Sequence, residues 1–162
     1  MYDMLVKLYE LPSLDAALDG LAQRGISIRR TIAPEAPVVV AWVLANFPSS
    51  AVEVEFACAR MPSTCFLALR DGQILGFACH EATARNFFGP EGVLKAERGR
   101  GVGRALLLTA LHDQRAQGYA YAIVGGVGPA AFYSSCVGAV AIEGSDPGVY
   151  AGMLRTPPSH GD

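Results

Sequence analysis

The apolar and polar positions of this chain fall into short segments of two periods. Met4 to Tyr9 (MLVKLY) predicts a strand. Leu14, Ala17, Leu18 and Leu21 then recur at helical spacing, with Ser13 as N-cap and Gly25 as the stop. Ile26 to Ile32 (ISIRRTI) alternates and predicts a strand. Glu35 to Phe47 predicts a helix with Pro37 in its first turn. VEVEF, read as an edge strand, would put Glu53 and Glu55 on one face. Cys65 to Leu69 and Gln73 to His80 flank Arg70-Asp71-Gly72, a strong hairpin signal.

The second half has the same grain. Asn86-Phe87-Phe88-Gly89-Pro90 is a turn-rich segment that leads to a short strand ending at Val93-Leu94. A helix is expected from about Arg104 to Gln117, with His112, Asp113 and Gln114 outward and Gly118 as the stop. Tyr119 to Val124 predicts a buried strand, and Ala130 to Cys136 a short helix. Ala139 to Glu143 and Gly148 to Leu154 suggest a closing antiparallel pair, and TPPSHGD a frayed tail. The class is α/β (α+β): a mixed sheet with helices on both faces.

Composition narrows this picture. At 162 residues, 51% hydrophobic and 17% charged, the chain is expected to fold as one domain over 1–162. A net charge of −2 offers no global field to nucleic acid. Cys58, Cys65, Cys79 and Cys136 form no CxxC pair, so no metal is expected, and buried reduced thiols are the plain reading. Neither a signal peptide nor a membrane-spanning run is visible, and a cytoplasmic setting is expected.

The chemistry concentrates in ERGRGVGRALLL, from Glu97 to Leu108. Strand, glycine-rich loop and helix in that order can bind an anion. The first helical N–H groups lack partners and carry the positive end of the macrodipole. Glycine lets backbone approach a phosphate closely. A P-loop requires Gly-x4-Gly-Lys-Ser/Thr, which is absent, and a GxGxxG fingerprint fails because Leu106 stands three residues after Gly103.

The loop Arg98-Gly99-Arg100-Gly101-Val102-Gly103 resembles the Arg/Gln-x-x-Gly-x-Gly/Ala loop of the GNAT superfamily of acyl-CoA-dependent N-acetyltransferases. GPAAFYSSCVGA resembles that family's second signature, a short helix with Phe-Tyr. The resemblance runs from Ile26 to Leu154, with residues 1–25 as an added strand and helix. It implies a central, mostly antiparallel sheet splayed at the cofactor, and acetyl-CoA as cosubstrate. By this resemblance Arg98, Gly99, Arg100, Gly101, Val102, Gly103 and Arg104 would cradle the pyrophosphate, with Glu97 turned to solvent. Val93 and Leu94 fall on the strand that orients the thioester, and Tyr133 would protonate the leaving thiolate. Gly126 stands where many members have asparagine, and Lys95 where proline is common. Members often pair through their last strands, so a homodimer is a further expectation.

The implied reaction is direct acyl transfer to an amine of a small molecule or peptide. An ammonium of lysine type, with pKa about 10, must lose a proton first. Glu53, Glu55, Glu81 and Glu91 are candidate bases, with Glu81 and Glu91 best placed at strand ends, and His80 a possible relay. Two alternatives stay open at this point: a non-catalytic acyl-CoA-binding module, and a phosphate-binding enzyme of another fold.

Overall fold

The computed structural model describes residues 1–154. Seven strands form one sheet: β1 (Met4–Lys7), β2 (Ser27–Arg30), β3 (Cys65–Arg70), β4 (Gln73–His80), β5 (Phe87–Val93), β6 (Tyr121–Val124) and β7 (Val140–Ala141). Five α-helices accompany it: α1 (Leu14–Ala22), α2 (Ala36–Asn46), α3 (Ala51–Ala59), α4 (Val102–Ala116) and α5 (Ala130–Val137). The sheet order is β2-β3-β4-β5-β6-β1-β7. Every pairing is antiparallel except β5 with β6.

That one parallel pairing is also the shortest contact in the middle of the sheet. It joins Phe87 to Ile123 and Phe88 to Val124, and then the strands part. β6 ends at Val124, while β5 runs on to Val93. The remainder of β5 therefore borders a gap on that side, although β4 still covers its other edge.

Two cores fix the faces around this gap. On one face α4 buries Val102, Ala105, Leu106, Leu107, Leu108 and Leu111 against Ala68, Ala78 and Val93. Burying six such side chains is worth about 1.5–3 kcal/mol for each large aliphatic one before entropy is counted. On the other face Val39 and Val43 of α2 and Val54 and Ala57 of α3 cover Leu67, Phe77 and Cys79. Gly92 belongs to this second contact. A Cβ there would meet Phe77 at 2.7 Å and Phe47 at 2.9 Å, so only glycine lets the end of α2 press on β5.

Several expectations need correction. VEVEF is not a strand but part of α3, so Glu53 and Glu55 lie about 200° apart around a helix rather than on one face. Gly148 to Leu154 does not form a strand, since Gly148–Tyr150 is a single 3-10 turn. β7 pairs with β1 instead, and β1 with β6, so the N-terminal strand lies inside the sheet. Local alternation could not reveal a partner more than a hundred residues away. Gln114, expected outward on α4, is fully buried. The tail from Thr156 onward lies outside the described residues. The sheet splayed beside α4, with helices on both faces, agrees with the expected class.

Candidate active site

The glycine loop turns directly into α4, which begins two residues earlier than the apolar pattern implies. Gly99 and Gly101 take φ of +73° and +84°, conformations that other L-residues rarely adopt. Gly101 is the N-cap of α4, and no side chain caps the helix. The first bond back is from Ala105 N to Gly101 O, at 3.0 Å. The N–H groups of the first turn thus face outward at the positive end of a 15-residue helix. A Cβ on Gly99 or Gly101 would meet nothing within 4 Å, so here the glycines serve conformation and access rather than packing.

The arginines divide into different roles. The Arg98 side chain donates from Nε to Val93 O at 2.9 Å and ties the loop to the end of β5. Arg24 bonds the Arg100 carbonyl and holds the loop from α1's side. Glu97 does not turn to solvent. It is buried and bonds Arg70 at 2.6 Å, and that guanidinium holds its carboxyl below the usual range. The pair anchors the base of the loop to the β3–β4 hairpin. Arg104 is exposed and lines the cleft beyond the loop.

That cleft, about 760 Å³, runs from the glycine loop along β5 to α5, between Arg98, Gly101 and Arg104 at one end and Phe132 and Tyr133 at the other. Its β5 edge presents unpaired backbone. Leu94 N donates to Leu75 O at 2.9 Å, on the β4 side. Antiparallel alternation therefore turns the N–H of Val93 the other way, into the gap. Among the cofactor positions expected from the sequence, Val93 faces the gap by its backbone, and Leu94 is committed to β4.

Glu91 and Tyr133 meet across this gap. Glu91 pairs with Ala78 of β4, which places its side chain on the α4 face. Its Oε1 is sealed from solvent and has no hydrogen-bond partner among the described residues. Burial pushes its carboxyl up to about 8. A Cβ on Gly103 would lie 3.3 Å from that oxygen, so the third loop glycine makes room for Glu91. Tyr133 is 9% exposed and packs edge-on against Phe132 and Phe88, with ring centroids 5.1 Å and 6.2 Å away. Burial first, and the Glu91 charge second, raise its phenol well above the usual value, so it keeps its proton.

A second cleft, about 930 Å³, opens on the far side of the same pair and shares Glu91, Pro129 and Tyr133 with the first. Its walls come from the start of α3, the segment before β5, the Gly125–Pro129 loop and the 3-10 turn at Tyr150. Phe88 lines it from β5 and also packs in the core, while Phe87 packs under Gly125. Asp3 sets the loop by accepting from Gly126 N at 2.9 Å, while its own N–H donates to Ser145 at 2.8 Å. The Gly126 N–H is therefore occupied within the protein.

Glu81 is not brought to either cleft. It is buried behind the β4–β5 turn, where Arg60 bonds it at 2.9 Å and Tyr119 and the Asn86 N–H also donate to it. Burial pushes its carboxyl up, but these three partners outweigh that and leave it lowered. His80 is fully buried and bonds Asp113 at 2.7 Å, with Arg30 on the same carboxylate. His112 bonds Pro12 O at 2.9 Å. Glu55 is exposed on the outer side of α3. All four cysteines are free and buried.

Phe47, Phe132 and Tyr150 line the clefts without having been singled out by the sequence pattern. Phe132 stood in the Phe-Tyr pair and could have been found there. Phe47 and Tyr150 carry no local signal, because their place depends on the packing of distant segments.

Residues 62–136 match the family model described as Acetyltransferase (GNAT) domain. That stretch holds the glycine loop, α4, Glu91 and Tyr133, so the part of the chain similar to this acetyltransferase domain is the part that builds the site. Solved structures show the same fold at low identity. One is a GCN5-related glucosamine N-acetyltransferase region of a fungal multi-domain GH3 β-N-acetylglucosaminidase, 18% identical with a TM-score of 0.72 over 87% of this chain and 19% of that one. Another is a GCN5-related N-acetyltransferase from Sphaerobacter thermophilus, 17% identical with a TM-score of 0.61 over 87% of this chain and 48% of that one. The chain thus spans less than half the length of either protein. No match is found among curated proteins. Among the described residues no helix is long and apolar enough to cross a membrane.

Proposed function

We propose that the chain, as one catalytic domain over residues 1–162, transfers the acetyl group of acetyl-CoA to the amine of a small molecule or peptide. The observation that carries this reading is the shared wall of the two clefts. One cleft ends at an uncapped helix start suited to pyrophosphate, and the other shares Glu91, Pro129 and Tyr133 with it. A donor and an acceptor entering from opposite sides would meet there, which suits direct transfer in a ternary complex.

The loop residues Arg98, Gly99, Arg100, Gly101, Val102, Gly103 and Arg104 would hold the pyrophosphate, mainly by backbone N–H groups, with Val93 and Leu94 alongside the pantetheine arm. The Val93 N–H would face the carbonyl oxygen as it gains charge. Glu91 takes the proton that the ammonium must lose. A carboxyl near 8 accepts it far more readily than an ordinary one near 4.3. The amine nitrogen then bonds the acyl carbon, the carbon–sulfur bond breaks, and Tyr133 passes its phenolic proton to the leaving thiolate. Glu81, held by three donors, serves the turn before β5 rather than the reaction.

Calorimetry with acetyl-CoA, followed by free-thiol release across an amine panel, tests the proposal. Micromolar binding with amine-dependent thiol release is expected. Binding without turnover on any amine would leave an acyl-CoA-binding module, and no binding at all would remove the site assignment.

A further inference from the structure

The two clefts carry opposite charge. The donor cleft is lined by Arg98 and Arg104. The acceptor cleft is lined by Glu53, Glu91 and Asp146, and by no lysine, arginine or histidine side chain among the described residues. Asp146 already faces the amino group of Met1 at 2.9 Å. Glu53 forms no ion pair among the described residues: it accepts from the Thr83 hydroxyl, and its charge helps raise the nearby Tyr150 phenol, behind burial. It stands in the first turn of α3, at the positive end of the helix dipole. Glu91 has an oxygen that is sealed and unpartnered, and it lines the same cleft from the β5 side. Apolar walls from Phe88, Val149 and Tyr150 lie around this cleft. A cleft with one orphaned carboxyl, a second carboxylate elsewhere on its wall that forms no ion pair among the described residues, and apolar surface around them offers two acidic positions to a short apolar chain with a cation at each end.

We propose that the acceptor is a small aliphatic diamine, with the reacting nitrogen at Glu91 and the second ammonium at Glu53. This rests on the acetyl-transfer reading for what happens to the first nitrogen, but the binding claim stands separately. Tyr150 and Phe88 would flank the methylene chain, and the Met1 amino group, the cation in the described lining, is already held by Asp146, which leaves a carboxylate-bearing amine to compete for it. A monoamine fills only the Glu91 end. An ω-amino acid places its carboxylate against Glu53 and is repelled.

The test compares 1,4-diaminobutane, butylamine and 4-aminobutanoate, by calorimetry on the CoA-saturated protein and by thiol release with acetyl-CoA. The diamine is expected to bind about tenfold to a hundredfold tighter than butylamine, the scale of one charge-assisted contact, with 4-aminobutanoate weakest. In Glu53→Gln the ratio of diamine to butylamine should fall toward one, and CoA affinity reports that the variant is folded. Equal binding of diamine and butylamine, or a Glu53→Gln variant that keeps the preference, overturns the inference. Diamine-selective binding with no thiol release would retain the diamine site and sink the acetyl-transfer reading instead.

Discussion

The donor cleft and the acceptor cleft share a wall yet are built in different ways. The donor side is mostly backbone: two glycines with positive φ, an uncapped helix start and the free edge of β5, all within about fifteen residues of chain. The acceptor side is made of side chains brought from the start of α3, the β4–β5 turn, the Gly125–Pro129 loop and the turn at Tyr150. Backbone sites bind what any such backbone binds, on the proposed reading a phosphate. Side-chain sites select, because each contributed group can change without disturbing the fold. Donor binding should therefore be lost by a single change in backbone geometry or charge, whereas acceptor chemistry should respond to side-chain changes that leave donor affinity alone.

The largest expected effect falls on the donor side. Gly101→Asp asks an L-residue to adopt φ of +84° and sets a carboxylate where the helix start awaits an anion. Acetyl-CoA affinity should drop by more than about a hundredfold, since the strain and the like charge each cost on the order of a kcal/mol or more. Calorimetry measures it, and unchanged affinity would break the assignment of the loop. Tyr133→Phe comes next and sharpens the division at the shared wall. Turnover should fall by roughly a hundredfold, the lower range for a lost general acid, with acetyl-CoA affinity within a few-fold of the parent. Equal loss of both in steady-state kinetics and calorimetry would make Tyr133 a packing residue only.

The same contrast explains what could be read from the sequence. The loop, α4 and the Phe-Tyr helix were legible because each is local: glycine spacing, helical period and a short motif suffice. The hairpin at Asp71-Gly72 was legible for the same reason. Glu97 was misread because its Arg70 partner lies 27 residues away, and charge on a glycine loop suggested solvent. α3 was misread because its apolar residues are not confined to one face, so VEVEF satisfied a strand's alternation equally well. β1's place between β6 and β7 was invisible, since no local pattern names a partner strand. Glu53 could be weighed as a residue, but its convergence with Tyr150 on one cleft needed the folded chain.

Glu91 gives the smallest effect and the finest division, because it belongs to both clefts. Glu91→Gln removes the proposed base while keeping shape, so kcat/KM should fall by about tenfold or more, and the ascending limb expected near pH 8 for the parent should be lost. Stability moves the opposite way. The folded carboxyl sits near 8, whereas the unfolded one sits near 4.5, so the folded state holds the proton more tightly. Its favourable contribution is complete below about pH 4.5 and is lost as pH rises through about 8. Between those two values the parent loses about 1.4 kcal/mol per pH unit, and above about 8 the cost of the ionised, sealed carboxyl levels off at a few kcal/mol. Glu91→Gln carries no such charge. Thermal melts should show the two proteins differing little at pH 4 and the variant melting several degrees higher at pH 9. A constant difference across that range would mean that Glu91 does not hold its proton in the fold, and the base at the shared wall would have to be sought elsewhere.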